Sequence, residues 1–219
     1  MRKLTGQDII EIELREIEPY LLDSPIILEA GACDGTDTAR FVQRWPRGTV
    51  YAFEPVPSLF ADLKSRTEHL LGVRCYQSAL SDRTGLAELH LSGRERGEGG
   101  RDSSSLLPPA QHLSEFPTVK FVDSIMVRTT TIADWAKREC VDHIDFMWLD
   151  MQGMELPTLK NAGFILETTT AICMEVARKE LYRGCATYHE IIEWMRAQGF
   201  HPAIDRVATS FGNILFVRG

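Results

Sequence analysis

Residues 26–36 read IILEAGACDGT, an apolar run that leads into a loop flanked by Gly31 and Gly35. The large and β-branched residues at its start predict a short buried strand. The two glycines allow a sharp turn and a close approach of the loop N–H groups to a ligand. Thr36 or Asp37 is predicted to cap the helix that follows, whose positively polarised N-terminus then faces the loop.

A second strand is predicted over residues 49–53, and it ends at Glu54 and Pro55. An acidic residue about twenty positions after the glycine loop can accept hydrogen bonds from both hydroxyls of a ribose. The order strand, glycine loop, helix, strand, acid therefore indicates the nucleoside-binding half of an α/β sheet.

The spacing of the glycines distinguishes between two classes of nucleotide ligand. A dinucleotide site requires G-x-G-x-x-G, whereas no glycine lies two positions after Gly31. Asp34 would repel a pyrophosphate, but its carboxylate suits the cationic amino end of a methionine-type ligand. The loop therefore favours S-adenosylmethionine over a nicotinamide dinucleotide, and the alternative is an ordinary strand-to-helix turn with two glycines.

Composition places the chain among globular proteins of one domain, spanning residues 1–219. The net charge of −7 argues against a protein built to bind long nucleic acids, which requires basic groups. No apolar run reaches the ~20 residues of a membrane helix, and the charged start is not a secretory signal. Five cysteines without a C-x-x-C pair predict reduced thiols and a cytoplasmic location.

The remaining pattern alternates helices and strands. Helices are predicted within residues 1–24 (an amphipathic N-terminal helix), 37–45, 58–71, 131–139, 154–166 and 188–199, and strands over 73–80, 86–91, 127–132, 145–149 and 170–176, with a final antiparallel hairpin of 202–207 and 211–217. Residues 92–105, SGRERGEGGRDSSS, lack apolar side chains and predict a flexible loop. This loop is either a plain connection or a lid that becomes ordered over substrate.

Several blocks, taken in order, resemble the FkbM-type family of S-adenosylmethionine-dependent methyltransferases. They are LEAGACDGTDTARF, VYAFEPVPSLFADLK, SALSDRTG, SSSL, VRTTTIADW, LDMQGMELPTLKNA and ICMEV. The resemblance implies a Rossmann-like class I fold, with a mostly parallel seven-stranded sheet, a C-terminal antiparallel hairpin and helices on both faces. It also implies O-methylation of a hydroxyl on a natural product, sugar or lipid.

The resemblance and the loop pattern together predict which residues bind the cofactor. These residues are Glu29, Gly31, Ala32, Asp34, Gly35, Thr36, Glu54, Pro55, Ser78, Ala79 and Asp150. Trp148 and Gln152 stand where the family has a basic residue and an acid, and both are predicted to lie beside the reaction centre.

Asp150, Glu155 and Glu175 come at or just after the ends of predicted central strands, so they are the candidate catalytic acids. A general base is needed to take the proton of an acceptor hydroxyl. Asp150 could instead cap the next helix, and Glu155 could favour its first turn. Clustered carboxylates also suit a hard cation, but no ligand set can be assembled from their spacing. His143 and His189 are predicted to be surface or satisfied residues.

Two other functions remain open on the sequence alone. One is an oxidoreductase that uses a dinucleotide on the same sheet. The other is a non-catalytic module that binds the cofactor and a protein. The predicted partner of an enzyme is a small hydroxyl acceptor, and a homo-oligomer is possible.

Overall fold

The computed structural model describes residues 13–94, 101–207 and 210–219. Residues 13–17 form the helix α1, followed by a 3₁₀ turn at Glu18–Tyr20. The other helices are α2 (Thr36–Arg44), α3 (Pro57–Thr67), α4 (His112–Glu115), α5 (Ile132–Glu139), α6 (Glu155–Lys160), α7 (Phe164–Thr168) and α8 (Tyr188–Ala197). The strands are β1 (Ile26–Ala30), β2 (Thr49–Phe53), β3 (Val73–Tyr76), β4 (Ala79–Leu80), β5 (Gly85–Arg94), β6 (Val119–Thr130), β7 (Phe146–Leu149), β8 (Ala171–Ala177), β9 (Phe200–Asp205) and β10 (Phe211–Arg218).

The main sheet has seven strands in the order β3-β2-β1-β7-β8-β10-β9. The first five of these pair in parallel, and β10 runs antiparallel to both β8 and β9. This arrangement confirms the predicted Rossmann-like fold with its C-terminal hairpin. The strand order reverses beside β1, and such a switch point opens a crevice at the carboxyl ends of the strands.

Alternate residues of the central strands bury their side chains in two hydrophobic cores, one on each face. Phe146 and Trp148 of β7 pack on the face that α1 and α2 cover, against Phe41. Met147 and Leu149 pack in the larger core on the other face, together with residues of α5 to α8. The unbroken apolar run of a central strand such as β7 therefore corresponds to two covered faces of the sheet.

A second sheet of three strands, in the order β4-β6-β5, corrects two predictions. The segment 73–80 is not one strand, because the chain bends at 77–78 and only Ala79 and Leu80 join β6. The predicted loop 92–105 begins within β5, since Ser92 pairs with Phe121. Residues 95–100 of that segment, like residues 1–12 of the predicted N-terminal helix, lie outside the described residues.

The predicted helix 154–166 is two short helices, α6 and α7. Gly163 separates them with a φ of +60°, a left-handed conformation that breaks the helical repeat. In the described parts of the chain, no helix has the length and apolar character needed to cross a membrane.

Candidate active site

A cleft opens at the carboxyl ends of β1, β2 and β7. Its walls come from the glycine loop, the residues that follow β2, the start of the second sheet, segment 101–106 and the loop after β7. The lining residues are Ala30, Gly31, Cys33, Phe53, Glu54, Pro55, Val56, Leu59, Ser78, Ala79, Leu80, Leu89, Arg101, Asp102, Ser104, Leu106, Asp150, Met151, Gln152 and Met154.

The glycine loop is held tightly between β2 and the end of β7. The N–H groups of Gly31 and Ala32 both donate to the Phe53 carbonyl, at 3.1 and 3.0 Å. A Cβ on Gly31 would lie 2.0 Å from the carbonyl oxygen of Asp150, and its φ is +84°. Glycine is therefore required here by backbone packing as well as by conformation.

Glu54 lies at the end of β2, lines the cleft and is nearly buried. Its two carboxylate oxygens accept hydrogen bonds from the N–H groups of Cys33, at 2.9 Å, and Val56, at 2.7 Å. Burial raises the pKa of Glu54 to about 7. Each carboxylate oxygen has a second lone pair, so a ribose hydroxyl could still donate to it.

Several predicted cofactor residues point away from this cleft. Glu29 is buried and accepts a hydrogen bond from the Thr38 hydroxyl at 2.5 Å, and burial raises its pKa well above the usual range. Asp34 pairs with Arg66 at 2.8 Å, and it accepts from the Thr36 N–H at 3.0 Å. Asp34, rather than Thr36 or Asp37, therefore satisfies the first turn of α2.

The remaining predicted cofactor residues divide in the same way. Pro55, Ser78, Ala79 and Asp150 line the cleft, together with Gly31 and Glu54. Ala32, Gly35 and Thr36 belong to the glycine loop but do not line the cleft. Gly35 instead packs against Leu63. A Cβ on Gly35 would lie only 2.8 Å from the Leu63 side chain, so a larger residue would not fit without a shift.

Asp150 and Glu175 are brought together by Gln152. The Gln152 amide nitrogen donates to Asp150 Oδ1 at 2.5 Å and to Glu175 Oε2 at 3.2 Å. The Asp150 carboxyl reaches solvent through the cleft, but the protein atoms crowded around it raise its pKa to about 6. Burial and the neighbouring carboxylates raise the pKa of Glu175 well above its usual range.

Glu155, the third candidate acid, braces the loop after β7. Its two carboxylate oxygens accept from the N–H groups of Met151, at 2.7 Å, and Gly153, at 2.9 Å. It is buried, does not line the main cleft, and has its pKa raised by burial to about 7. Its geometry is that of a residue that shapes the loop.

Trp148 does not lie beside the reaction centre, contrary to the prediction. Its ring packs against Phe41 and Phe146, on the core face opposite to Met147 and Leu149. Gln152, by contrast, lines the cleft as predicted. The alternation of β7 sends Trp148 to the same side as Glu29, its partner in the strand register.

Segment 101–106 contributes residues that the sequence pattern did not single out as cofactor or acceptor contacts. Arg101, Asp102, Ser104 and Leu106 line the cleft. A bridge between His90 and Ser105 holds this segment against β5, with N–H···O distances of 2.8 and 3.1 Å. Only the block SSSL indicated that part of the segment is ordered, because the rest of its composition is typical of a loop.

The histidines highlighted in the sequence lie outside the cleft. His143 is paired with Asp142 at 2.7 Å, and His189 is in the first turn of α8. Across the residues that the model describes, no group of three or more His, Cys, Asp or Glu side chains has the arrangement of a metal site.

Comparison with known proteins adds evidence independent of the geometry. The family model for the methyltransferase FkbM domain matches residues 29–202. The 2-O-methyltransferase NoeI of Sinorhizobium fredii is 33% identical over 185 residues, which cover 84% of this chain and 74% of that protein.

Two solved structures share the fold. The precorrin-6y C5,15-methyltransferase of Geobacter metallireducens has a TM-score of 0.55 at 10% identity, with 99% of this chain and 90% of that chain covered. The fibrillarin of Aeropyrum pernix, solved with bound S-adenosyl-L-methionine, has a TM-score of 0.52 at 15% identity, with 94% and 74% covered.

Proposed function

Because the chain belongs to the FkbM methyltransferase family, we propose that it methylates a hydroxyl group of a small molecule, with Asp150 beside the reacting atoms. Family membership confirms the predictions of an enzyme, of S-adenosylmethionine as cofactor and of O-methyl transfer. The alternatives of a dinucleotide oxidoreductase and of a non-catalytic module are therefore wrong.

The residues of the cleft fit the cofactor. Glu54 offers carboxylate oxygens at the end of β2, where a ribose acid is expected. Apolar side chains on the second-sheet side, among them Ala79, Leu80 and Leu89, offer a surface for the adenine ring. Gly31 keeps the loop close to β7, and Asp150 then lies across the cleft from Glu54.

The single observation that carries the proposal is the place of Asp150. It follows β7 directly, beside the glycine loop of β1, and its carboxyl opens into the cleft. S-adenosylmethionine supplies an electrophilic methyl group when it is bound. Asp150 would orient the acceptor hydroxyl and take its proton, and its pKa of about 6 leaves it mostly ionised at neutral pH.

The charge of the cleft favours an acceptor other than a nucleic acid. Three of its lining residues are acids, against the single arginine Arg101, and such a site would repel a phosphate backbone. We therefore propose a sugar, lipid or natural-product hydroxyl as acceptor and no nucleic acid.

We propose four further properties of the chain. The five cysteines carry free thiols, which suits a cytoplasmic location. We regard residues 1–219 as one methyltransferase domain, and a homo-oligomer is compatible with it. Glu29, Ala32, Asp34, Gly35 and Thr36 would act on the cofactor through the shape of the loop rather than through side-chain contact.

A labelled-methyl screen tests the proposed function. The full chain would be incubated with S-adenosylmethionine that carries a ¹⁴C-methyl group and with separate pools of sugars, glycolipids, phenolic natural products, RNA and protein. We expect label in at least one hydroxyl compound, in a linkage that resists the mild base that cleaves methyl esters. Label only in RNA or protein, under conditions where S-adenosylhomocysteine binds, would contradict the small-molecule acceptor.

A further inference from the structure

Gln152 makes contacts that extend well beyond the two carboxylates. Its amide oxygen accepts from the Tyr182 hydroxyl at 2.6 Å, while its amide nitrogen donates to Asp150 and Glu175. Its backbone carbonyl accepts from the Ser105 hydroxyl at 2.7 Å. One residue therefore connects the acids of the cleft to a buried tyrosine and to segment 101–106.

Tyr182 extends this connection to the same segment. Its hydroxyl lies 2.9 Å from the carbonyl oxygen of Ser103, besides its contact with Gln152. Ser104 and Leu106, adjacent to the anchored residues, line the cleft. The wall of the cleft opposite the glycine loop is thus tied to residue 152 through both a side chain and the backbone.

The orientation of the Gln152 amide decides whether Asp150 and Glu175 meet a hydrogen-bond donor or an acceptor. An amide group has donors only on nitrogen and an acceptor only on oxygen. With the oxygen turned toward Tyr182, both carboxylates face the N–H donors. If the amide were reversed, its oxygen would face Asp150 and Glu175, and oxygen atoms that carry negative charge would repel one another.

The backbone at this point is also fixed in an uncommon conformation. Gln152 has a φ of +55°, in the left-handed region that few residues other than glycine adopt. Glu155 holds the N–H groups on both sides of Gln152, those of Met151 and Gly153. A residue kept in such a conformation by its surroundings often serves a functional site.

The negative charges around Asp150 and Glu175 raise the pKa values of both acids, and the Gln152 amide donor counteracts this effect. The negative charges of Asp37 and Asp102 act on Asp150, and those of Asp150 and Glu155 act on Glu175. All of these groups raise the pKa of the acid on which they act. The Gln152 hydrogen bond acts in the opposite direction and favours the ionised form of both acids.

We propose that Gln152 and Tyr182 are positioning residues for the methyl transfer. They direct the Asp150 carboxylate into the cleft and couple its orientation to segment 103–106, the wall against which the acceptor packs. This inference rests on the proposed function, because it assigns Asp150 to the transfer. Neither residue needs to touch the reacting atoms for this role.

A carboxyl titration of the full chain tests the role of Gln152. Side-chain ¹³C carboxyl signals of Asp150 and Glu175 would be followed by NMR from pH 4 to 9 with saturating S-adenosylhomocysteine. In Gln152→Ala, which removes the donor, we expect the proton affinity of both acids to rise about tenfold or more. Gln43→Ala, at an exposed position of α2, is the matched control and should leave both titrations unchanged.

Tyr182→Phe tests the coupling, because it keeps the ring and removes only the hydroxyl. We expect the Asp150 titration to move in the same direction, and the amide protons of Ser105 and Leu107 to exchange about tenfold faster. Tyr20→Phe, with an exposed ring, is the control. Unchanged titrations in both Gln152→Ala and Tyr182→Phe would overturn the positioning role even if the labelled-methyl screen succeeds. Shifted titrations together with a failed screen would instead overturn the proposed function, and with it the link between these contacts and methyl transfer.

Discussion

At the scale of single residues, three carboxyl groups predicted as catalytic acids have different environments. Glu155 uses both oxygens to hold backbone N–H groups, and Glu175 lies behind Gln152. Asp150 is the one of the three that lines the main cleft. The sequence could not separate these roles, because all three were predicted at or just after the ends of central strands. In the structure Asp150 follows β7, whereas Glu155 begins α6 and Glu175 lies within β8.

The change Asp150→Asn tests this assignment, since it keeps the shape of the side chain and removes its charge. We expect the rate of methyl transfer to fall ~10²-fold or more, the usual contribution of a general base. The dissociation constant of S-adenosylhomocysteine, measured by calorimetry, should change little. Asp23→Asn, exposed and before β1 at the opposite edge of the sheet, is the control. A loss mainly in cofactor affinity would make Asp150 a binding residue instead.

At the scale of secondary-structure elements, the strands of the main sheet follow closely from their apolar pattern. β2 was predicted with its observed ends, because a short apolar run between polar turns is typical of a buried strand. The breaks in the segments 73–80 and 154–166 were missed, since each depends on pairing with distant parts of the chain or on one glycine. The sequence predicts residues 92–105 as a connection or a lid over substrate, and the lid stays a prediction. The sequence could not show which residues of segment 101–106 line the cleft, because serines in strand register and loop serines look alike in sequence.

The contact between the glycine loop and the loop after β7 gives a prediction at this scale. Gly31→Ala would place a Cβ 2.0 Å from the Asp150 carbonyl oxygen, so the two loops must separate. We expect a loss of about 3 kcal/mol or more in the free energy of unfolding, measured with urea, and weak cofactor binding. Gly184→Ala is the matched control, because its φ is also positive at +78° but its Cβ would enter open space. Gly184→Ala should lower the free energy of unfolding by only about 1–2 kcal/mol. Equal losses in both variants would show that backbone conformation, not packing, sets the requirement for glycine.

At the scale of the whole molecule, acids concentrated at one edge of the sheet link its stability to pH. Glu54 and Glu155 have pKa values of about 7 in the folded chain, because of burial, against 4.5 for an unperturbed glutamate. Between these values the folded state binds more protons than the unfolded state. The free energy of unfolding should therefore decrease as the pH rises through this range.

We expect the ligand-free chain to lose about 3 kcal/mol or more between pH 4.5 and 7, measured by urea unfolding at constant ionic strength. Glu155→Gln should make this dependence shallower, because it removes one of the shifted groups. Glu68→Gln, exposed at the end of α3, should leave it unchanged. Stability that rises with pH over the same range would mean that these carboxyls are ionised without penalty in the folded chain.

The claim that the cleft at the carboxyl ends of β1, β2 and β7 holds the cofactor is tested most directly by calorimetry on Glu54→Gln. At pH 8, where Glu54 is mostly ionised, hydrogen bonds from the ribose to this charged acceptor are worth roughly 1.5–3 kcal/mol. We expect S-adenosylhomocysteine to bind about tenfold or more weakly to this variant than to the unchanged chain, and to bind Glu68→Gln as tightly as the unchanged chain. An unchanged dissociation constant in a correctly folded Glu54→Gln protein would place the cofactor outside this cleft.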